Sequence, residues 1–117
     1  MGTAYNPFIV RNGLVVHLDN GNSKSYIGSG SNWVDLTKNK YNATLYNSPT
    51  YSNRSLTFAK ASTQYAETTS NIPNLSVWSC EAWIYFNSVP VSGTDVSAIV
   101  TTIKTATPTV NFTLGVT

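Results

Sequence analysis

The feature that most constrains this chain is the period of its apolar residues. No window places them at i, i+3, i+4 and i+7 over three turns, so no long amphipathic helix is expected. They alternate instead, which is the period of a strand with one covered face. Residues 78–86 are the longest such run, with Trp78, Cys80, Ala82, Ile84 and Phe86 on one side and Ser79, Glu81, Trp83 and Tyr85 on the other. Near the C-terminus Val110, Phe112, Leu114 and Val116 share a face. Shorter runs predict strands over 14–18, 43–47, 55–59, 64–68 and 98–104, with Leu56 and Phe58 facing the same way. Turns separate them: Asn12-Gly13, the 19–23 run of Asp, Asn, Gly and Ser, Gly28 to Ser31, Ser48-Pro49, and Asn71-Ile72-Pro73-Asn74. About eight short strands with turns between them predict an antiparallel β-sandwich or barrel.

Composition agrees. Only 12 of the 117 residues are charged, about 10%, against about 25% in an average domain. Ser, Thr and Asn supply the polarity, 43 residues in all. A hydrophobic content of 41% argues against disorder, and the low content of Ala, Glu, Lys and Leu argues against a helical bundle. A net charge of +2, spread over scattered cations, makes no nucleic-acid patch. Lys38, Lys40 and Arg54 read as solvating charges. The longest apolar stretch, residues 82–86, is far short of the roughly 20 residues of a membrane helix, so no membrane insertion is expected. The first residues lack the basic start and long apolar run of a secretory signal. Four glycosylation sequons, at Asn42, Asn53, Asn74 and Asn111, are what chance gives in so Asn- and Thr-rich a chain.

The run from Gly13 to Leu36 (GLVVHLDNGNSKSYIGSGSNWVDL), followed by Asn42-Ala-Thr-Leu and Ser48-Pro-Thr-Tyr, carries a family resemblance. It resembles the opening of concanavalin A-like lectin/glucanase (laminin-G-like) jelly-roll domains of tailed-phage structural proteins, many of them from cyanophage. Ser55-Leu-Thr-Phe, Gln64-Tyr-Ala-Glu and Trp78-Ser-Cys-Glu-Ala-Trp-Ile-Tyr fall in the order of that family's later strands. The likeness covers residues 8–86 and is loose beyond Pro90. It implies an all-β, antiparallel sandwich of jelly-roll type over residues 13–117, preceded by an extended arm, residues 1–12. The chain stops within the alternating run that starts at Val110, which would leave an open edge and an uncovered face. The domain is therefore expected to be the N-terminal part of a larger one, with a smaller complete sandwich as the alternative.

The resemblance also frames the chemistry. In glucanase relatives a strand of the 78–86 kind presents alternate carboxylates, and glycoside hydrolysis normally needs two. Here Glu81 shares its face with Trp83 and Tyr85 instead, and the other acids, Asp19, Asp35, Glu67 and Asp95, share no motif with it. No enzymatic activity is expected. Glu81, Trp83 and Tyr85 are a candidate carbohydrate platform, since an aromatic face packs on the C–H face of a pyranose; the commoner fate of such aromatics is to pack beneath a loop or sheet. Asp19, Asn20 and Asp35 are candidate Ca²⁺ ligands by their oxygen chemistry, weighed against turn roles in which Asp and Asn bond nearby backbone. His17 has no partner in a catalytic arrangement and reads as a surface or interface residue. Cys80 reads as a small buried hydrophobe, and a lone Cys forms no internal disulfide. Gly28-Ser-Gly30 lacks the Lys-Ser/Thr of a phosphate loop.

The expected setting is a phage virion: a non-enzymatic tail, fibre, baseplate or capsid-surface protein. Its partners would be other virion proteins and copies of itself, with weak attachment to host-surface glycan multiplied by oligomerisation. A soluble carbohydrate-binding module, or a fragment of a glycan hydrolase, is the alternative.

Overall fold

The computed structural model describes residues 9–73, 75–87, 100–104 and 110–115, the last two segments through their strand pairing. Among these residues the regular structure is almost entirely β. The strands are β1 (Asn32–Trp33), β2 (Ala43–Tyr46), β3 (Thr50–Ser52), β4 (Ser55–Thr57), β5 (Tyr65–Thr68), β6 (Val100–Lys104) and β7 (Val110–Gly115). A single 3-10 turn, Lys60–Ser62, is the one helical element described. Five strands form one sheet in the order β1-β2-β5-β7-β6, and β3 and β4 form a separate hairpin. Every pairing is antiparallel. The described residues are thus mostly antiparallel β with almost no helix, consistent with the all-β class that the alternation predicts.

Register follows the pattern of the side chains. The β2–β5 ladder pairs Ala43 with Thr68, Leu45 with Ala66 and Tyr46 with Tyr65. Ala43, Leu45, Ala66 and Thr68 are all buried, whereas Thr44 and Glu67 stand on the other face, half-buried. A one-residue slip would invert this and expose the apolar set, so burial itself holds the register. The outward pair Tyr46 and Tyr65 stack, ring centroids 4.6 Å apart and 14° from parallel.

The core is the cluster Tyr26, Trp33, Ala43, Leu45 and Ala66, with Leu18, Tyr51, Leu56 and Phe58 packed against it. Leu56 and Phe58 share a face, as expected. The β3–β4 hairpin closes through Asn53 and Arg54, at φ +50° and +61°. Ser52 pairs with Ser55, so these two residues form the whole loop. Positive φ at both positions is the two-residue turn whose twist matches that of the strands. β3 was not expected from the sequence: Thr50 and Tyr51 lie between Pro49 and the turn, too short a run to show alternation.

Two expected strands do not form. Residues 14–18 run beside the loop 35–39 without joining a sheet, because side chains take the place of a ladder. The His17 N–H donates to the Asp35 carboxylate, and its C=O accepts from the Leu36 N–H. The Val15 C=O accepts from the Thr37 hydroxyl and the Asn39 amide. The second correction concerns residues 78–86, expected to be the longest strand. They form no strand among the described residues. The place beside β5 is taken by β7, which pairs Ala66 with Leu114. Alternation specifies an extended chain with two faces, but a strand also needs a neighbour that bonds its backbone.

Candidate functional site

Two regions draw attention: a polar hub on the loops 14–41, and the aromatic segment 77–86.

The hub is built on Asp35, which is completely buried. One carboxylate oxygen accepts the backbone N–H groups of His17 and Thr37, each at 2.9 Å. The other accepts the Thr37 hydroxyl at 2.6 Å and the Tyr41 N–H at 2.9 Å. Burial alone pushes this carboxyl's pKa up; the hydrogen bonds from Thr37, His17 and Tyr41 outweigh that and leave it below the ordinary value. Its own N–H donates to the Asn42 side chain, and its C=O accepts from the Lys40 ammonium. Asp35 therefore holds three stretches of chain together in its charged form.

Asp19 and Asn20 sit in the adjoining loop. An Asp19 carboxylate oxygen accepts the Gly21 N–H, an Asx turn. The Asn20 amide donates to the Arg54 C=O at 2.8 Å. The Arg54 guanidinium in turn donates to the Gly21 C=O through Nε and Nη2, and the Tyr51 hydroxyl donates to the Asn20 C=O. This corrects the reading of Arg54 and Lys40 as merely solvating charges. Arg54 clamps the hairpin tip onto the 19–21 loop, and Lys40 closes the Asp35 loop. Nothing in the sequence pointed to the Arg54 and Asn20 bonds, since they join residues more than 30 positions apart; the Lys40 bond spans only five positions. The candidate Ca²⁺ ligands Asp19, Asn20 and Asp35 are thus all engaged by protein groups. No group of three or more His, Cys, Asp or Glu side chains comes together among the described residues.

Beside this loop lies an open cleft of about 330 Å³, lined by Tyr26, Leu45, Tyr51, Pro49 and the hydroxyl-bearing Ser29, Ser31 and Ser48, with Gly28 and Gly30. Tyr26 and Tyr51 meet edge to face at 5.0 Å. Gly28 has φ +94°, and a Cβ there would stand 3.0 Å from the Tyr51 ring, so this position needs glycine twice over. Burial, then the neighbouring Tyr51 hydroxyl, raises the Tyr26 pKa. The Tyr26 hydroxyl donates to the Gly30 C=O.

The aromatic segment is the opposite kind of surface. Exposure alternates along it: Val77 89%, Trp83 96% and Tyr85 87% on one side, Trp78 51%, Ile84 46% and Phe86 45% on the other. Trp78, Ile84 and Phe86, expected on the covered face, are the less exposed set yet remain exposed, so the period of two read from the sequence is present. The packing expected for Trp83 and Tyr85 is not: both stand in solvent, together with Glu81. Cys80, expected to be buried, is exposed too. Partial desolvation by its neighbours still raises its thiol pKa, which keeps it protonated near neutrality although it is accessible. The physical reason for both corrections is the missing ladder: among the described residues no sheet neighbour pairs with this segment. Asp95 lies outside the described residues, as do the side chains of the last alternating run.

No helix among the described residues is long and apolar enough to cross a membrane. Compared with protein families, curated proteins and solved structures, the chain matches no family model, no curated protein and no solved structure.

Proposed function

We propose that the chain is a non-enzymatic structural or adhesive component of a phage virion, placed in a tail, fibre, baseplate or capsid-surface position. On this reading its antiparallel sheets belong to a jelly-roll sandwich, and its work is contact, with other virion proteins, with copies of itself and with host-surface glycan. The observation that carries the reading is the outward display of Trp83 and Tyr85 beside Glu81. Large aromatics in water lower a protein's solubility and gain energy when a partner covers them. The resemblance of residues 8–86 to phage laminin-G-like domains supplies the setting.

The acids also favour contact over catalysis. Two cooperating carboxylates are the ordinary requirement for cleaving a glycosidic bond. Asp35 is buried and saturated with donors, and Asp19 closes its own turn. Proteomics of purified particles tests the virion reading: the chain should be recovered in stoichiometric amounts, and its absence from washed particles would overturn it. The exposed Trp83–Tyr85 pair favours a second reading, a soluble carbohydrate-binding module. A glycan array run with Trp83→Ala separates the two. Specific binding that the substitution abolishes, by a chain absent from particles, selects the module.

A further inference from the structure

The chain contains two Asn-Gly steps, Asn12-Gly13 and Asn20-Gly21. In such a step the backbone nitrogen of the glycine, on losing its proton, can attack the side-chain carbonyl carbon of the asparagine. A C–N bond forms, the bond to the side-chain nitrogen breaks, and that nitrogen leaves as ammonia. Water then opens the five-membered imide at either carbonyl, giving aspartate or isoaspartate. Glycine allows this because it has no Cβ to obstruct the approach. What remains is whether each side chain and each N–H is at liberty.

The two steps differ sharply. At Asn20 the side-chain amide is held by the Arg54 C=O at 2.8 Å, and the Asn20 C=O is held by the Tyr51 hydroxyl. The attacking group is held as well: the Gly21 N–H donates to the Asp19 carboxylate at 2.9 Å. A carboxylate accepting that proton disfavours its loss, both by the hydrogen bond and by its charge. At the other step Asn12 and Gly13 are exposed, and neither the Asn12 amide nor the Gly13 N–H has a partner among the described residues. Gly13 sits at φ +78°, with no atom within 4 Å of where a Cβ would be. Among the described residues the turn is closed only by the Leu14 N–H on the Arg11 C=O, at 3.1 Å.

We propose that Asn12 is a site of spontaneous deamidation and that the fold protects Asn20 from the same reaction. Modification at Asn12 lowers the formal net charge of +2 by one. In the isoaspartyl product it also inserts a methylene into the main chain at residue 12. This inference does not depend on the virion reading.

The test is incubation of the folded chain at mildly alkaline pH, followed by peptide mapping with isoaspartate resolved from aspartate. In the folded chain Asn12 should be modified at least about tenfold faster than Asn20, since Asn20 must first open locally. In denaturant the two rates should converge. Asp19→Ala, which releases the Gly21 N–H, should raise the Asn20 rate in the folded chain. Equal rates in the folded chain, no modification at Asn12, a rate ratio unchanged by denaturant, or an Asn20 rate unmoved by Asp19→Ala would each overturn the proposal.

Discussion

The loops around Asp35 and the segment 77–86 are made of opposite material, and each meets the fate its composition argues against. Residues 19–41 are rich in Ser, Asn, Asp and Gly, and no strand is expected within them; yet Ser25, Tyr26, Trp33 and Asp35 there are among the most buried residues described. Residues 77–86 carry two Trp, one Tyr and one Phe in an alternating run, and stand largely in solvent. What separates them is the supply of partners. Ser25 accepts the Asp19 N–H and donates to the Val34 C=O, and its backbone bonds Val34 as well. Each buried polar atom of this kind carries its own solution for leaving water. An alternating strand carries only half of one, since its faces are specified by its own sequence and its ladder by another segment's.

Tryptophan substitution puts the contrast at its largest. Trp33 is 4% exposed and belongs to the core cluster, whereas Trp83 is 96% exposed. Trp33→Ala should cost about 3–5 kcal/mol, and Trp83→Ala should stay within about 0.5 kcal/mol, in urea unfolding followed by circular dichroism. An equal cost at the two sites would mean that residues 77–86 are covered in solution. It would remove the contrast and, with it, the adhesive reading of Trp83.

Asp35 gives the next largest effect. Asp35→Ala strands the N–H groups of His17, Thr37 and Tyr41 together with the Thr37 hydroxyl, and should cost about 3 kcal/mol. Asp35→Asn keeps the shape, but its NH₂ turns one acceptor into a donor, so a smaller loss of about 1–2 kcal/mol is expected. The pH dependence has a definite sign. The folded-state pKa lies below the unfolded one, so the unfolded chain binds the proton more readily. The stabilisation is complete above the unfolded pKa of about 3.9 and is lost as pH falls through the lower, folded value. Wild-type stability should therefore drop on acidification below about pH 4 by more than that of Asp35→Asn. Parallel curves would remove Asp35 as the source.

Much of the strand pattern was legible because β2, β5 and the β4 region alternate within runs long enough to show it, and because small residues at Ala43 and Ala66 mark the buried face of the β2–β5 ladder. The hub was half legible: Asp19 was given its turn role as an alternative, but Asp35, weighed for calcium or a turn, emerges as a junction of three loop stretches. Hydrogen bonds between residues 18 to 34 positions apart leave no local pattern. Arg54 was misread for the same reason, its partner Gly21 being a backbone carbonyl that any residue could supply. At residues 78–86 the period was read correctly and the burial was not, since alternation does not say which neighbour takes the place beside β5.

Gly28 tests the loop region at closer range. Gly28→Ala introduces a methyl 3.0 Å from the Tyr51 ring at φ +94°, and should cost about 1–2 kcal/mol. Gly13→Ala has a similar φ, +78°, but open space around its Cβ, so its loss should be the smaller of the two. The difference between them in thermal unfolding isolates the contact with Tyr51 from the backbone strain. If both cost the same, the 28–31 loop moves freely off the ring, and the cleft beside it is not a fixed feature.

The smallest effect is the most local. Tyr46 and Tyr65 are directly opposite in the β2–β5 ladder and stack on its outward face. They show what an exposed aromatic does when it has a neighbour: each covers one ring face of the other, a relation that Trp83 and Tyr85, both in water, lack. A double-mutant cycle with Tyr46→Ala and Tyr65→Ala should give a coupling of about 0.5–1 kcal/mol. The same cycle on Trp83 and Tyr85, whose side chains lie two residues apart along one face, should give a coupling near zero. A coupling there as large as that between Tyr46 and Tyr65 would show the aromatics of residues 77–86 already packed on each other, and so less available to a partner.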